Sequence, residues 1–539
     1  MTMRAIFPIP GESDTDIENR TLPAILRIQA QRLGEAPFIN VCGKSATFAG
    51  IDRLSDRLAN GLRALGVKQG DRVALLLPNC FEFVALWFAV SKLGAIEAPN
   101  NPALKGELLC HNLNNCAAET LVADAAALSE LAKVQDKLPG IKNLILIGAT
   151  AADAKAAGVR FTTIVTYDAC LEHDGPFEPV AVHYSHPMAI LYTSGTTGPA
   201  KGALMSHHHC YSWVMGMAMN LGYAQSDSYF SALPLFHTDA QMFGVYMPLV
   251  FGTPATLVES FSASRFWSQV RECGATATNM LGAMGVILSR AEPSREDDSN
   301  PLRICQCIPM VPDLPAFEQR FGLKLVTGYG QTETGFVTLD TTGDSRTGSC
   351  GRAHPDWEVA VVDEYDRPLP AGMKGEIVSR PKKNWAMFSG YYRNDARTVQ
   401  TLRNLWYHSG DAGVLDEDGW LYFKHRVNEA IRRRGENISA YEVESLAGMH
   451  GDIVESAAFG VPSEFTEEDI MLIAVRRAGS NIGPEELVAH FVASAPRHMV
   501  PRYVEIIDSL LPRTPTEKVA RNELKQRGVT PLTFDRGAR

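Results

Sequence analysis

The segment with the highest density of chemically useful residues runs from Thr193 to Gly202, directly after the apolar stretch Met188–Tyr192. It supplies four hydroxyl side chains, three glycines and one lysine. Glycines let backbone N–H groups approach an anion, hydroxyls add donors, and a lysine adds positive charge. A flexible linker is disfavoured, because linkers rarely carry such density directly after a buried strand. The segment therefore predicts a polyphosphate-binding loop. It is not a Walker loop, since Gly202 and not a hydroxyl residue follows Lys201.

Histidines and cysteines give no second site of comparable strength. His207, His208 and His209 are consecutive, and consecutive side chains point in different directions, so we do not expect a shared metal. The 10 cysteines include no Cys-x-x-Cys pair. This usage is typical of free thiols in a reducing compartment.

Composition excludes several classes of protein. The 539 residues carry a net charge of −10, which argues against nucleic acid as the principal partner. Residues Met1–Thr21 are acidic and lack the apolar centre of a signal peptide. The longest strongly apolar run, Phe83–Val90, would span about 12 Å as a helix, short of the ~30 Å bilayer core. We therefore expect a cytoplasmic protein without stable membrane insertion.

Short apolar runs alternate with helical patterns along most of the chain. Leucines recur at helical spacing from Leu54 to Leu65, and Phe81–Leu93 is typical of a core helix. Buried strands are predicted at Val73–Leu77, Thr120–Ala123, Asn143–Ile147, Met188–Tyr192 and Lys324–Thr327. This alternation predicts an α/β fold of mostly parallel sheets covered by helices.

The pattern changes after about Asp411. A hairpin turn is predicted at Asp416–Gly419. It is followed by a helix at Tyr441–Met449, strands at Ile453–Phe459 and Met471–Val475, a helix at Pro484–Ser494 and a strand at Tyr503–Ile507. We expect a large N-terminal domain, residues 1–425, with a small β subdomain, and a small mobile α+β C-terminal domain, residues 426–539.

Five segments in order resemble the acyl-adenylate-forming superfamily, which includes acyl-CoA synthetases, peptide-synthetase adenylation domains and firefly luciferase. They are Thr193–Gly202, Gly328–Glu333, Trp406–Asp411, Arg426–Asn437 and Thr514–Lys518. Phe236–Gln241 and Arg434–Ser439 most resemble the crotonobetaine/carnitine-CoA ligase-like subgroup. The resemblance covers nearly the whole chain.

The resemblance implies an AMP-forming acid–CoA ligase that uses ATP, Mg²⁺ and coenzyme A. A small carboxylic acid and ATP would give acyl-AMP and pyrophosphate, and the CoA thiol would then displace AMP. One alternative passes the acyl group to a carrier protein or an amine. A non-enzymatic alternative is a nucleotide-binding scaffold. The family also suggests a homodimer.

The resemblance assigns nucleotide-binding roles to residues of the first domain. Those expected at the phosphates are Thr193, Ser194, Gly195, Thr196, Thr197, Gly198 and Lys201. Tyr329, expected at the end of a parallel strand, would stack on adenine beside Gly330. Thr332 would donate to the α-phosphate, and Glu333, with Thr193, would hold Mg²⁺, a cation that prefers hard oxygen ligands.

Further roles fall near and beyond the domain boundary. Asp411 would accept hydrogen bonds from the ribose hydroxyls, and Arg426 would bind the ribose or a phosphate. Arg434, Gly435 and Glu436 would line the CoA tunnel. Asn428 would be the hinge about which the C-terminal domain swings. Lys518 would touch both the attacking carboxylate and the α-phosphate, because this transfer depends on positioning and electrostatic stabilisation.

His237 follows the predicted strand end Ala232–Phe236. The resemblance implies that it forms a wall between the acyl pocket and the nucleotide. Asp239 has two interpretations. It caps the helix that begins near Ala240, or it faces a cationic acid. Three residues depart from the usual family pattern: Asn428 stands for Asp or Lys, Arg434 for a tunnel glycine, and Glu517 for the glycine before Lys518.

Overall fold

A computed structural model describes residues 19–193, 200–426, 430–433, 436–463, 468–495, 499–514 and 518–537. These residues form two compact units. The first comprises the chain up to Glu358 together with Arg380–Trp406, and the second comprises Val359–Ser379 and the chain from Tyr407 onward. The predicted domain boundary between residues 425 and 426 stays a prediction.

The helices of the described residues are mostly short. They are α1 (Leu22–Leu33), α2 (Phe48–Ala64), α3 (Phe81–Lys92), α4 (Gly106–Cys116), α5 (Leu128–Val134), α6 (Ala151–Ala156), α7 (Tyr167–Cys170), α8 (His207–Leu221), α9 (Met247–Phe251), α10 (Phe266–Cys273), α11 (Gly282–Arg290), α12 (Leu314–Phe321), α13 (Asp395–Thr401), α14 (Ala440–Gly448), α15 (Pro484–Ser494) and α16 (Arg521–Arg527). A π-helical segment, Ala240–Tyr246, precedes α9.

The strands of the first unit build two large sheets and a small one. They are β1 (Pro37–Val41), β2 (Lys44–Thr47), β3 (Arg72–Leu76), β4 (Ile96–Asn100), β5 (Thr120–Asp124), β6 (Asn143–Ile147), β7 (Thr163–Thr166), β8 (Pro187–Thr193), β9 (Lys201–Ser206), β10 (Tyr229–Ser231), β11 (Ala255–Leu257), β12 (Ala277–Leu281), β13 (Ile304–Ile308), β14 (Lys324–Val326), β15 (Gly328–Gln331), β16 (Gly335–Leu339) and β17 (Arg352–Ala353).

The remaining strands form the sheets of the second unit. The first of them begins, and the second ends, in residues that belong to the first unit. They are β18 (Trp357–Val362), β19 (Lys374–Pro381), β20 (Tyr407–Leu415), β21 (Leu421–Arg426), β22 (Ala430–Arg433), β23 (Glu436–Ser439), β24 (Ile453–Pro462), β25 (Glu468–Arg476), β26 (Tyr503–Ile507) and β27 (Phe534–Asp535).

Both seven-stranded sheets of the first unit are mostly parallel. Their strand orders are β7-β6-β5-β3-β4-β8-β9 and β14-β13-β12-β10-β11-β1-β2. Among the described strands of these two sheets, only the edge pairs β8–β9 and β1–β2 are antiparallel. Strands β3, β5 and β6 coincide with predicted apolar runs, because strands buried on both faces are apolar throughout. The prediction of helix-covered parallel sheets is confirmed.

Helix α3 shows why the longest apolar run is core and not membrane. All of its residues from Phe83 to Lys92 are buried. The Lys92 ammonium group is compensated, since its Nζ lies 2.6 Å from one carboxylate oxygen of Asp52 and 2.6 Å from one of Asp56. A buried cation requires such partners. Among the residues that the structure describes, no helix combines the length and apolar character that a membrane crossing requires.

The second unit follows the predicted α+β pattern closely. Helix α15 and strand β26 have the predicted bounds, and the turn at Asp416–Gly419 joins the antiparallel strands β20 and β21. Strand β25 pairs antiparallel with β24 and parallel with β26. The apolar side chains of these strands and of α14 and α15 form a core of their own.

Candidate functional site

The two ends of the predicted phosphate loop lie next to each other. Thr193 ends β8, Lys201 begins β9, and the two residues are cross-strand partners. The Thr193 hydroxyl donates to the Lys201 carbonyl at 3.5 Å. The loop therefore leaves and re-enters one antiparallel pair at the edge of a parallel sheet. Five predicted phosphate-loop residues lie outside the described residues, namely Ser194, Gly195, Thr196, Thr197 and Gly198.

Tyr329 does not lie at the end of a parallel strand, so that prediction is wrong. The parallel strand β14 ends at Val326, and Tyr329 lies in β15, which pairs antiparallel with β16. The chain turns here because the Thr327 N–H donates to a carboxylate oxygen of Asp340 at 2.6 Å. Gly330 is required in the hairpin, since a Cβ there would lie 2.0 Å from the Gly335 carbonyl oxygen. Tyr329 and Gly330 are both half-buried.

The buried Asp340 carboxyl makes the stability of this hairpin depend on pH. Burial raises the pKa of Asp340 to about 7, although the Thr327 N–H and the Asn220 amide favour the charged form. The unfolded value is near 3.8, so the folded protein binds the proton more tightly. This contribution to stability is complete below pH 4 and is lost as the pH rises through 7.

We therefore expect the thermal midpoint of Asp340→Asn to exceed that of the wild type at pH 7. At pH 4 this difference in midpoint should be smaller or reversed in sign. The difference between the unfolded and folded pKa values of Asp340 corresponds to a loss of about 4 kcal/mol in the free energy of unfolding between pH 4 and pH 7. Thermal midpoints of both proteins from pH 4 to pH 8 give the comparison. Parallel pH profiles would contradict the assignment.

Glu333 lies in the turn between β15 and β16, and its side chain is buried. The turn is closed by the Thr334 N–H, which donates to the Gln331 carbonyl at 3.0 Å. Thr332 is half-buried in the same turn. One carboxylate oxygen of Glu333 accepts a 2.6 Å hydrogen bond from the Tyr391 hydroxyl. A carboxylate has two oxygens and about four lone-pair sites, so Glu333 retains capacity for a hard cation such as Mg²⁺.

Tyr391 is a site residue that the sequence reasoning missed. Its ring centroid lies 5.3 Å from Lys201 Nζ, and its hydroxyl reaches Glu333. It therefore contacts both a phosphate-loop cation and the predicted metal ligand. The signal in the sequence is the pair of tyrosines after Gly390, which precedes a polar stretch.

His237 lies in a turn beyond the end of its strand. Strand β10 ends at Ser231, so the predicted strand over Ala232–Phe236 is wrong, and the His237 N–H donates to the Pro234 carbonyl at 3.0 Å. A Pro in this stretch has no N–H to give to a sheet, which favours a turn. The His237 ring is partly exposed, and its Nδ1 lies 4.0 Å from an Asp239 carboxylate oxygen.

Asp239 does not cap a helix, which corrects the first of its two interpretations. Its backbone is already helical, with φ −60° and ψ −46°, and its side chain makes no capping hydrogen bond. An N-cap residue requires extended backbone angles to turn its side chain onto the free N–H groups. The helix that follows is the π-helical segment Ala240–Tyr246, a form that often marks functional sites.

The three consecutive histidines of α8 have separate surroundings. His207 Nδ1 accepts from the Leu22 N–H at 3.2 Å, and the His209 ring stacks on Trp213 at 6.0 Å. Burial lowers the pKa of His207 and of His209 to about 3 and that of His208 to about 4. All three rings are neutral core side chains at physiological pH.

In the second unit, Asp411 and Arg426 are cross-strand partners on β20 and β21. Arg426 Nε lies 3.4 Å from an oxygen of the buried Asp411 carboxylate. Glu376 holds the part of β20 that carries Asp411, since its carboxylate accepts from the Gly410 N–H at 3.0 Å and lies 2.9 Å from His408 Nδ1. Sequence reasoning predicted Asp411 and Arg426 but missed Glu376, whose role depends on strand pairing.

Lys518 is exposed, and its backbone is hydrogen-bonded to Thr514. Its N–H donates to the Thr514 hydroxyl at 3.2 Å, and the Thr514 N–H donates to the Lys518 carbonyl at 2.6 Å. These two hydrogen bonds fix the backbone of Lys518 against Thr514. The predicted hinge and tunnel residues Asn428, Arg434 and Gly435, and the side chain of Glu436, lie outside the described part of the chain.

Comparison with known proteins gives matches over most of the chain. The family described as AMP-binding enzyme matches residues 26–392, and the AMP-binding enzyme C-terminal domain matches residues 442–518. A crotonobetaine/carnitine–CoA ligase of Escherichia coli O7:K1 is 32% identical over 482 residues, which cover 87% of this chain and 91% of the relative. The ligase of that name from Salmonella arizonae is 31% identical, over 89% and 93% of the two chains.

Solved structures agree in fold. The anthranilate CoA ligase AuaEII in complex with anthranoyl-AMP has a TM-score of 0.83 at 22% identity, over 94% of this chain and 97% of that chain. ATP-bound MatB from Rhodopseudomonas palustris has a TM-score of 0.81 at 24% identity, over 94% and 98%. At these identities the likeness establishes the fold.

Proposed function

This chain belongs to the AMP-binding enzyme family, and from that membership we propose which residues carry each step of its reaction. The protein is an AMP-forming acid–CoA ligase that acts on a small carboxylic acid. The observation that carries this conclusion is 32% identity, across 87% of the chain, to ligases of this reaction class. The predicted family, reaction and cosubstrates ATP and CoA are confirmed.

In the first step a carboxylate oxygen of the acid attacks the α-phosphorus of ATP. A new P–O bond forms, the bond from the α-phosphorus to the bridging oxygen breaks, and pyrophosphate leaves. We assign the phosphates to the Thr193–Gly202 loop and to Lys201, and the α-phosphate donor to Thr332. Asp411, with Arg426, is assigned to the ribose, and Tyr329, with Gly330, to adenine. A carboxylate suits the ribose hydroxyls because charge-assisted hydrogen bonds are strong.

Glu333, together with the Thr193 hydroxyl, would hold Mg²⁺. The bound ion would supply charge neutralisation on the phosphates. The donor set fits, since Mg²⁺ usually takes one or two protein carboxylates and completes its shell with phosphate oxygens and water.

In the second step the CoA thiolate attacks the acyl carbon, the C–O bond to AMP breaks, and AMP leaves. We assign Lys518 to the first step alone, and Arg434, Gly435 and Glu436 to the second. The alternation would proceed by rotation about Asn428. His237 would separate the acid from the nucleotide. We also propose that the protein is cytoplasmic. A homodimer is proposed because the family resemblance suggests one.

For the acid we propose a small polar or quaternary-ammonium carboxylate, ahead of a short-chain or aromatic acid. Two observations support this choice. The relatives named above are crotonobetaine/carnitine–CoA ligases. The Asp239 carboxylate lies 4.0 Å from His237, is about one quarter exposed and does not cap the following helix. An anion at the edge of an acyl pocket favours a cationic substrate by Coulomb attraction.

The test compares 4-(trimethylammonio)butyrate, called the cation below, with 5,5-dimethylhexanoate, its isostere without the ammonium charge, in a pyrophosphate-release assay. The wild type should prefer the cation. Asp239→Asn should lower kcat/KM for the cation about 10-fold, equivalent to about 1.4 kcal/mol, and leave the isostere within about 2-fold. Glu259→Gln, a change of an exposed carboxylate in the same unit, should alter neither value. A wild type that prefers the isostere would contradict the proposed acid class.

A further inference from the structure

The backbone of the segment Ser389–Tyr392 is hydrogen-bonded to β9, the strand that begins with Lys201. The Ser389 N–H donates to the Leu204 carbonyl at 2.7 Å, and the Leu204 N–H donates to the Gly390 carbonyl at 2.9 Å. The Tyr392 N–H donates to the Gly202 carbonyl at 2.8 Å, and Ala203 and Tyr391 form a β-bridge between these bonds. The segment is therefore hydrogen-bonded along β9, and its backbone position is fixed relative to Lys201.

The same segment is also bonded to the turn that carries Glu333. The Phe388 N–H donates to the Glu333 carbonyl at 2.8 Å, and the Tyr391 hydroxyl donates to Glu333 Oε1 at 2.6 Å. One bond fixes the Glu333 backbone and the other fixes its carboxylate. Glu333 and Tyr391 are 58 residues apart in the chain, so this contact exists only in the folded protein.

The Tyr391 ring is held by its surroundings. The side chain is buried, the Tyr391 N–H donates to the Thr398 hydroxyl at 2.9 Å, and the Phe388 ring packs against it at 5.0 Å and 72°. Lys201 Nζ lies 5.3 Å from the ring centroid, within the range of a cation–π contact. Because the ring cannot shift freely, it fixes where the ammonium group and the carboxylate lie relative to each other.

In the hydrogen bond between Tyr391 and Glu333 the phenol is the donor and the carboxylate is the acceptor, at 2.6 Å. A protonated phenol next to a carboxylate forms a charge-assisted hydrogen bond, which is stronger than a neutral one.

We propose that Tyr391 is a positioning residue that links Lys201 to Glu333, so that the phosphate-binding ammonium group and the metal-binding carboxylate are held as one unit. This inference rests on the proposed roles of Lys201 and Glu333. Its consequence is that Mg²⁺ and ATP bind cooperatively, and that the cooperativity depends on the Tyr391 hydroxyl. The thioester step, which needs no phosphate transfer, does not depend on it.

Calorimetric titration of ATP with and without Mg²⁺ gives the test. In the wild type Mg²⁺ should tighten ATP binding, and in Tyr391→Phe this gain should fall about 10-fold, because the variant lacks the charge-assisted hydrogen bond to Glu333. The half-saturating Mg²⁺ concentration for pyrophosphate exchange should rise by a similar factor. Thioester formation from supplied acyl-AMP should stay within about 2-fold.

Tyr392→Phe is the matched control, since it removes a hydroxyl from the adjacent residue. The Tyr392 ring packs against the apolar core around α4 and β5. Phenylalanine keeps the volume and the aromatic face at position 391, and thermal midpoints establish that both variants fold. An unchanged Mg²⁺ effect in Tyr391→Phe, or an equal loss of both half-reactions, would overturn the inference. Absence of acid-dependent exchange in the wild type would instead overturn the proposed function, because the titration requires no acid.

Discussion

Lys518→Ala is expected to lower acid-dependent ATP–pyrophosphate exchange by about 100- to 1,000-fold, the usual effect of removing one group that stabilises transition-state charge. The attack of a carboxylate on the α-phosphate brings two anions together, and negative charge grows on the phosphate oxygens. Lys518 is exposed, and its backbone is fixed by two hydrogen bonds to Thr514. The position of its backbone is therefore defined relative to Thr514.

The same variant should form acyl-CoA from supplied acyl-AMP at nearly the wild-type rate. Exchange is measured with labelled pyrophosphate, and the second step by release of AMP from synthetic acyl-AMP and CoA. Lys525→Ala is the control, because Lys525 is an exposed lysine of the same unit that pairs with Glu468 at 3.1 Å. Equal loss of both half-reactions would refute the assignment of Lys518 to the first step.

Asp411→Asn is expected to raise the KM for ATP about 10- to 100-fold. A carboxylate can accept from both ribose hydroxyls, whereas an amide offers one oxygen, and a hydrogen bond to a charged group contributes about 1.5–3 kcal/mol. The substitution also removes the charge beside Arg426, whose Nε lies 3.4 Å from the carboxylate. The wild type should discriminate strongly against 2′-deoxy-ATP and 3′-deoxy-ATP.

The readout for Asp411 is the ratio of kcat/KM between ATP and each deoxy analogue. This ratio should fall towards one in Asp411→Asn, because the variant lacks the carboxylate that accepts hydrogen bonds from the ribose hydroxyls. Glu417→Gln, a change of an exposed carboxylate in the turn of the same hairpin, should keep the wild-type ratio. If Asp411→Asn kept that ratio too, the ribose would have to be bound by another residue.

Elements with a strong local signal were predictable from sequence. Helix α15 and strand β26 have the predicted bounds, because Gly483-Pro484 marks a helix start and the apolar residues of Tyr503–Ile507 mark a strand. The confirmed parallel sheets follow from the same kind of signal. Roles for Lys201, Glu333, Asp411 and Lys518 came from the family resemblance, since each would be an ordinary residue alone.

The features that sequence reasoning missed depend on contacts between distant residues. Tyr329 lies in a hairpin because Asp340, 13 residues after Thr327, accepts the Thr327 N–H. Asp239 is helical because a π-helical segment follows it directly, and no local pattern distinguishes that segment from an α-helix. The contact between Tyr391 and Glu333 likewise requires that the later segment Ser389–Tyr392 hydrogen-bond to β9.

The most direct test of the two-step reaction follows an oxygen atom. The acid is prepared with both carboxylate oxygens as ¹⁸O and is turned over with ATP and CoA, and the AMP is analysed by mass spectrometry. Attack by the carboxylate on the α-phosphorus, followed by cleavage of the acyl C–O bond, must leave one ¹⁸O in each AMP. AMP without label would mean that no bond ever joined the acid to the α-phosphate, and the account would be wrong.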